Sequence, residues 1–313
     1  MTTALAFDIG LVALLVGMGT WMIVVRDTLI AVIVFVIYGL LMAIAWVRLW
    51  AIDVALTEAA IGSGITGMLL LSAAARLRNS EMRWTRPSLA LSVVAALSCM
   101  IISAGLAAIV LFPPDAPPSL APAALQHLDQ TGLGNPVAGV LFAFRAIDTL
   151  LEKVVVLLAL IGVWSLAPDR LWGGAPALDT FMPTNDLLVF FARVLPPFGI
   201  VFAVYMTWTG ASHPGGAFQG GTVLAVMWLL VMMAGVAHAP PISNARLRRV
   251  LIAGPALFLT IGFAGFFMAG AFLAYPPDYA KALIVTMEIA LAVSIGATLA
   301  LLAAGPPERM QRQ

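Results

Sequence analysis

About nine stretches of the chain reach roughly the 20 mostly apolar residues that an α-helix needs to cross a bilayer. They are 7–25, 29–47, 51–75, 88–112, 136–166, 187–209, 217–236, 250–273 and 282–303. Two are less regular: 217–236 opens on glycines and 51–75 contains acids. The polar connections group the spans. The Arg-rich RLRNSEMRWTRP (76–87) separates three spans from the next two, which are joined by a Pro/Ala/Leu-rich loop at 113–135. A second boundary, 167–185, carries Pro168, Gly173, Gly174, Pro176 and Pro183, and four spans follow it. The pattern predicts an all-α, polytopic membrane protein of three modules: 1–80, 81–168 and 185–305.

Basic residues orient the spans. Alternate connections hold Arg26, then Arg76, Arg78, Arg83 and Arg86, then Arg170, then Arg246, Arg248 and Arg249, with Arg309 and Arg312 in the tail. The other set holds little beyond Arg48 and Lys281. Cytoplasmic loops concentrate Lys and Arg, so the expectation is N-out, C-in, with an odd number of spans. The sequence MTTALAFDIG lacks a basic start and runs into a full-length span, which predicts no cleaved signal.

Composition agrees: 62% of residues are hydrophobic and 10% charged, with mean hydropathy +1.04, against about 25% charged in soluble domains. A net charge of +1 gives no reason to expect nucleic acid or an acidic substrate. The single Cys99 excludes an intrachain disulfide and a cysteine metal cluster. Three scattered histidines, His127, His213 and His238, suggest no zinc, haem or iron–sulfur site, and no phosphate-binding Gly loop or Ser/His/Asp signature is present. No cofactor and no covalent catalysis are expected.

The candidate chemistry is charge inside spans. FAFRAIDTLLEKVVVLLAL (142–160) is apolar enough to span, yet it contains Arg145, Asp148, Glu152 and Lys153. On a continuous helix the first three fall within an arc of roughly 60°, with Lys153 at its edge. Four central charges cost about 10–14 kcal/mol against about 4–7 returned by the apolar residues. Such a stripe requires protein, water or counter-charges, and marks an ion or proton pathway. The third span adds Asp53 and Glu58, followed by small residues that permit close helix approach, and the ninth adds Glu288. With all three spans entering from outside, Glu58, Glu152 and Glu288 come out level, which suggests a lateral polar track. Asp53 and Lys281 read as interfacial. A static reading stands beside this one, in which the charges pair locally and fix helix register.

The stretch TWTGASHPGGAFQGGTV (207–223) is rich in glycine around Pro214: Gly215, Gly216, Gly220 and Gly221 disfavour a continuous helix. It predicts either a tight turn or a broken helix lining a cavity. His213 lies within it, and a loop histidine is commonly solvated.

That stretch resembles the signature of the B subunit of Mrp-type multisubunit cation/proton antiporters, Gly-His-x-x-Pro-Gly-Gly-Gly-Phe. Ala211 stands here where the family has His, Ala217 replaces a Gly, and His213 lies two residues on. The span TMEIALAVSIGATLALL is similar to that subunit's last. AIDVALTEAAIGSG resembles the D-type subunit of Mrp-related membrane-bound hydrogenases. FRAIDTLLEKVVVL is similar to the E-type module, whose Arg-x-x-Asp-Thr-x-x-Glu pattern matches Arg145, Asp148, Thr149 and Glu152. The resemblance implies a D–E–B fusion acting as a multi-pass subunit in a bacterial cytoplasmic membrane. Its partners would be large antiporter-like A- and D-type subunits, small C-, E-, F- and G-type subunits, and lipid. It implies a transport subunit rather than an enzyme, with any redox activity in partner subunits. Glu58, Asp148 and Glu152 lead as pathway acids holding at most a transient Na⁺, with Glu288 and Asp53 behind them and Arg145 and Lys153 tuning their charge. The loop motif comprises His213, Pro214, Gly215, Gly216, Gln219, Gly220 and Gly221. A non-conducting scaffold and a self-sufficient transporter are the alternatives.

Overall fold

The computed structural model describes residues 3–78, 88–113, 118–176 and 186–309. Arg83, Arg86, Arg312, Pro183 and the boundary expected after residue 80 lie outside the described residues. Helices α1 (Thr3–Val24) and α2 (Thr28–Arg48) form a hairpin. Asp27 caps α2, its Oδ1 accepting from the Leu29 and Ile30 amides at 2.8 and 3.1 Å, which satisfies amides that the helix itself leaves free. The third span is composite: α3 (Ile52–Thr57), a π-helical turn over Glu58–Ile65, and α4 (Thr66–Arg78). Next come α5 (Leu89–Leu111) and the short α6 (Ala121–His127). The fifth span is also composite, with α7 (Pro136–Gly139), a π turn over Val140–Phe144, and α8 (Ala146–Trp164). Helices α9 (Asp186–Thr209), α10 (Ala217–Met233), α11 (Ala245–Ala269) and α12 (Pro277–Ala304) complete the bundle. A two-stranded antiparallel ribbon pairs β1 (Ala175–Pro176) with β2 (Pro307–Arg309).

Seven helical segments among the described residues are long and apolar enough to cross a membrane. Helix α8 falls outside that set because Asp148, Glu152 and Lys153 interrupt it, and α10 because it has 17 residues. The protein is an all-α, multi-pass membrane protein.

Helix α12 is the axis of the bundle. Its Ile284, Met287, Leu291 and Leu301 are fully buried, against Phe258 of α11, Leu229 of α10 and Leu160 of α8. In lipid, apolar burial alone does not drive helices together, so close approach at small residues must. Glycines supply it: a β carbon on Gly254 would lie 3.0 Å from the Leu291 Cα, and one on Gly296 would lie 3.0 Å from the Gly221 carbonyl oxygen. Pro255 interrupts the α11 ladder, and Ser294 of α12 donates its hydroxyl to the Leu251 carbonyl at 2.5 Å. The first three spans touch this core through the third, which packs on α10. Helix α5 has no buried residue along its length.

Two expectations need correction. Gly220 and Gly221 do not break a helix; they lie inside α10. Their missing side chains are used for contact, Gly220 against Thr207 and Ala203 of α9, Gly221 against Ala292 and Ile295 of α12. The fifth span is not one continuous helix either. Its backbone departs from helical geometry at Arg145, with φ −133° and ψ 37°, so Arg145 precedes α8 and does not share its periodicity.

Candidate functional site

Four helix starts meet at one end of the bundle: those of the third and fifth spans, α10 and α12. The turn from α9 to α10 organises them. Gly215 and Gly216 hold φ of +149° and +125°, a conformation closed to residues with a β carbon. They let the chain fold back until the Gly216 amide donates to the Met206 carbonyl at 2.9 Å. The sequence left a tight turn and a broken cavity-lining helix open; the chain forms a turn, and Gly215 and Gly216 line a cavity beneath it.

Asp53, at the start of its span, is half-buried, and its Oδ1 accepts from the Gly215 amide at 3.0 Å and from Asn135 Nδ2 at 3.4 Å. The same Asn135 nitrogen donates to the Gly210 and His213 carbonyls, each at 3.1 Å. One turn on, Thr57 Oγ1 donates to the Asp53 carbonyl at 2.9 Å and accepts from Gln219 Nε2 at 3.0 Å. Three segments far apart in sequence are thus tied at one point. The His213 side chain is exposed beside it. Lys281 reaches the same turn, its Nζ donating to Ser212 Oγ at 3.4 Å.

Below this knot lies a cavity of about 270 Å³, room for several waters. Asp53, Thr57 and Ile61, spaced i, i+4, i+8, line one wall; Glu152, Lys153 and Thr149 contribute from the fifth span, and Gln219, Phe218 and Glu288 from α10 and α12. Thr149 donates its hydroxyl to the Leu141 carbonyl at 2.5 Å, sealing backbone that the π turn loosens. Tyr275, in the connection before α12, donates to the Phe142 carbonyl of the same turn at 2.9 Å; burial pushes its phenol pKa up, so it stays a donor.

The four charges of the fifth span divide between two directions. Arg145 and Asp148 form an exposed ion pair. Glu152 is about half exposed at the cavity wall, while the Lys153 side chain is 3% exposed. The Lys153 ammonium stands 3.0 Å from the centroid of the Phe218 ring, a cation–π contact, and 3.9 Å from Glu152 Oε2. Glu288, 1% exposed, receives the Ala217 amide at the start of α10, where the helix dipole favours a negative group. Its Oε2 is buried without a partner. Asp53, Glu152 and Glu288 therefore share one cavity with the Lys153 ammonium. Among the described residues no three His, Cys, Asp or Glu side chains gather into a metal-binding group. Carboxylates set singly around water can pass protons or hold a hydrated cation.

Glu58 lies elsewhere. It follows Thr57 by about 100° on the helix, faces α2, and does not line the cavity. Thr57 and Asn135 are site residues that charge-based reading of the sequence missed, and Thr149 entered only through the Arg-x-x-Asp-Thr-x-x-Glu resemblance.

Comparison with known proteins adds to this geometry. Residues 13–79 match the MbhD family, the D-type subunit of MBH. Residues 187–305 match the domain related to the MnhB subunit of Na⁺/H⁺ antiporter. A protein of Methanocaldococcus jannaschii, itself uncharacterised, is 27% identical over 154 residues, 44% of this chain and 59% of its own length. A chain of the Mrp complex from Dietzia sp. superposes with a TM-score of 0.73 at 24% identity, covering 97% of this chain and 35% of that one. A chain of the membrane-bound sulfane sulfur reductase, an archaeal respiratory membrane complex, gives a TM-score of 0.51 at 23% identity, covering 68% of this chain and 97% of that one. At these identities the structural likeness is one of fold. The chain spans about 59% of the length of the curated relative and 35% of the Mrp-complex chain.

Fold and cavity together define a class: a multi-pass helical membrane protein with ionisable groups gathered inside the bundle. Within it, residues 13–79 form an MbhD-like part and residues 187–305 an MnhB-related part.

Proposed function

We propose that this chain is a membrane subunit of an Mrp-type monovalent cation/proton antiporter, or of a related ion-translocating respiratory complex, and that it carries part of the ion path. The observation behind this reading is the cavity in which Asp53, Glu152 and Glu288 come together from three parts of the chain around Lys153. Glu152 and Glu288 exchange protons with, or coordinate a cation through, the water that fills it. Lys153 offsets their charge and keeps the site from holding a cation too tightly. Asp148 and Arg145, exposed on this chain, face partner subunits or the aqueous boundary. The organisation is 1–80 as a D-type module, 81–168 as an E-type module and 185–305 as an MrpB-like module. The orientation is N-out, C-in, in a bacterial cytoplasmic membrane. Large antiporter-like subunits and small hydrophobic subunits are the partners, and the chain itself transports rather than catalyses.

In vesicles carrying the assembled complex, Glu152→Gln and Glu288→Gln should each abolish cation-dependent proton movement while the complex still migrates intact on a native gel. Normal transport in both variants would remove the reading. A scaffold reading is favoured by the Asp53–Gly215–Asn135 knot, which is fixed hydrogen bonding rather than a conduit. On that reading the same two substitutions leave transport untouched, and assembly fails when the knot is cut.

A further inference from the structure

Trp50 stands where helix ends ordinarily carry glycine. Helix α2 closes in a Schellman turn: the Trp50 amide donates to the Val47 carbonyl at 3.0 Å, and the Ala51 amide to the Trp46 carbonyl at 2.9 Å. The residue at the pivot of such a turn is left-handed, a conformation that is costly for any side chain with a β carbon. Gly270 takes it after α11. Trp50 takes it here, with φ +62°. Among the described residues only Leu273 does the same without being glycine, and Leu273 is buried in the core, where packing offsets the strain. The Trp50 side chain is 88% exposed. Nothing in this chain offsets its strain, so the contact that does lies outside the chain.

Beside Trp50, between α1 and α2, runs a groove of about 240 Å³ walled by Leu11, Leu15, Ala45 and Leu49, with Asp8 and Arg48 at its rim. Leu15 lies two turns beyond Asp8, about 10 Å along the helix. The rim pair is bidentate: Arg48 Nε and Nη2 donate to Asp8 Oδ1 and Oδ2 at 2.8 and 2.9 Å. The Phe7 ring centroid stands 5.7 Å from the guanidinium. The pair is neutral as a whole, and both side chains remain partly exposed. A guanidinium has five N–H donors and a carboxylate about four acceptor sites, so donors and acceptors are both left over.

We propose that this corner binds one phospholipid whose headgroup carries both a phosphate and a primary ammonium, the phosphatidylethanolamine class. An acyl chain lies in the groove, the phosphate takes the free Arg48 N–H groups, and the ammonium donates to Asp8. The Trp50 indole, apolar in body with a single N–H donor, settles at the boundary between headgroup and chain. A neutral rim gives an anionic headgroup no net attraction, and a quaternary choline has no proton to give Asp8. The site shares no lining residue with the carboxylate cavity, so it stands or falls independently of the ion-path reading.

The test adds phospholipids of identical acyl chains, with ethanolamine, choline or glycerol headgroups, to the full chain in detergent and counts retained lipids by native mass spectrometry. The wild type should retain one ethanolamine lipid at concentrations at least tenfold below those the other two require. Ala45→Phe, which fills the groove, should lose that preference. Asp8→Asn leaves Arg48 without its counter-charge and should turn the preference toward the anionic glycerol headgroup. Trp50→Gly should melt above the wild type in lipid-free detergent, because it relieves the left-handed strain, yet need at least tenfold more ethanolamine lipid for the same retention. Equal retention of the three headgroups by the wild type would overturn the site. So would wild-type retention in both Ala45→Phe and Trp50→Gly, or a Trp50→Gly variant that melts at or below the wild type. Release of a subunit from the assembled complex by Trp50→Gly, with the lipid count unchanged, would also overturn it and make the occupant a partner helix.

Discussion

Pro255 has no amide hydrogen to offer the Leu251 carbonyl, the group four residues earlier that an α-helix would satisfy. Ser294 donates to that carbonyl instead, across the α11–α12 interface. In a bilayer no water substitutes for a missing partner, so the hydroxyl is structural. Ser294→Ala should lower stability by about 1–3 kcal/mol, read as a lower unfolding midpoint in detergent, with little change in transport per folded complex. Residue by residue, the sequence announced charges well and neutral donors badly. Glu152, Lys153 and Glu288 were visible because ionisable groups are expensive in a span. Thr57 and Asn135 were not, because a hydroxyl or amide beside an apolar run looks the same whether it bonds its own helix or another. Asp53, at the start of its span, reaches the Gly215 amide, while Glu58, one residue past Thr57, faces α2.

At the scale of elements, hydropathy located the spans but not their interruptions. A π turn of five residues, such as Val140–Phe144, leaves an apolar pattern unchanged, so the break at Arg145 could not be read and the arc drawn through its charges was too regular. Helix α10 carries the opposite lesson. Its Gly220 and Gly221 suggested broken backbone, yet the helix runs through them and uses them to press against α9 and α12. A side chain there has little room to adapt: a β carbon at Gly221 would sit 2.9 Å from the Ala292 carbonyl oxygen, which is backbone. Gly221→Val should therefore displace α10 bodily and destabilise the protein by about 1–3 kcal/mol or more. Because Phe218 and Gln219 ride on the same turn, it should also impair transport more than its thermal shift alone accounts for. Equal transport per folded complex in that variant would separate α10 from the ion path.

For the molecule as a whole, the deciding feature is that segments from three parts of the chain meet at Asp53, Asn135 and Gly215. Asp53→Asn and Asp53→Ala divide the two roles this meeting could have. The amide retains an oxygen acceptor for Gly215 but loses the charge; alanine loses both and leaves a partly buried amide short of a partner, a loss of about 1–3 kcal/mol. If Asp53 serves as a knot, only alanine should raise hydrogen exchange across 210–216 and weaken the complex. If its charge belongs to the path, asparagine should also reduce transport. One further consequence concerns the ribbon in which Pro307–Arg309 pairs with Ala175–Pro176. It brings the chain that leaves α8 against the residues leaving α12, so the exit of the last helix is stapled to the part of the chain that precedes the four-helix portion. A chain divided just after residue 176 would therefore keep its two parts tied at this ribbon as well as through the bonds from Asp53 and Asn135 to the α9–α10 turn.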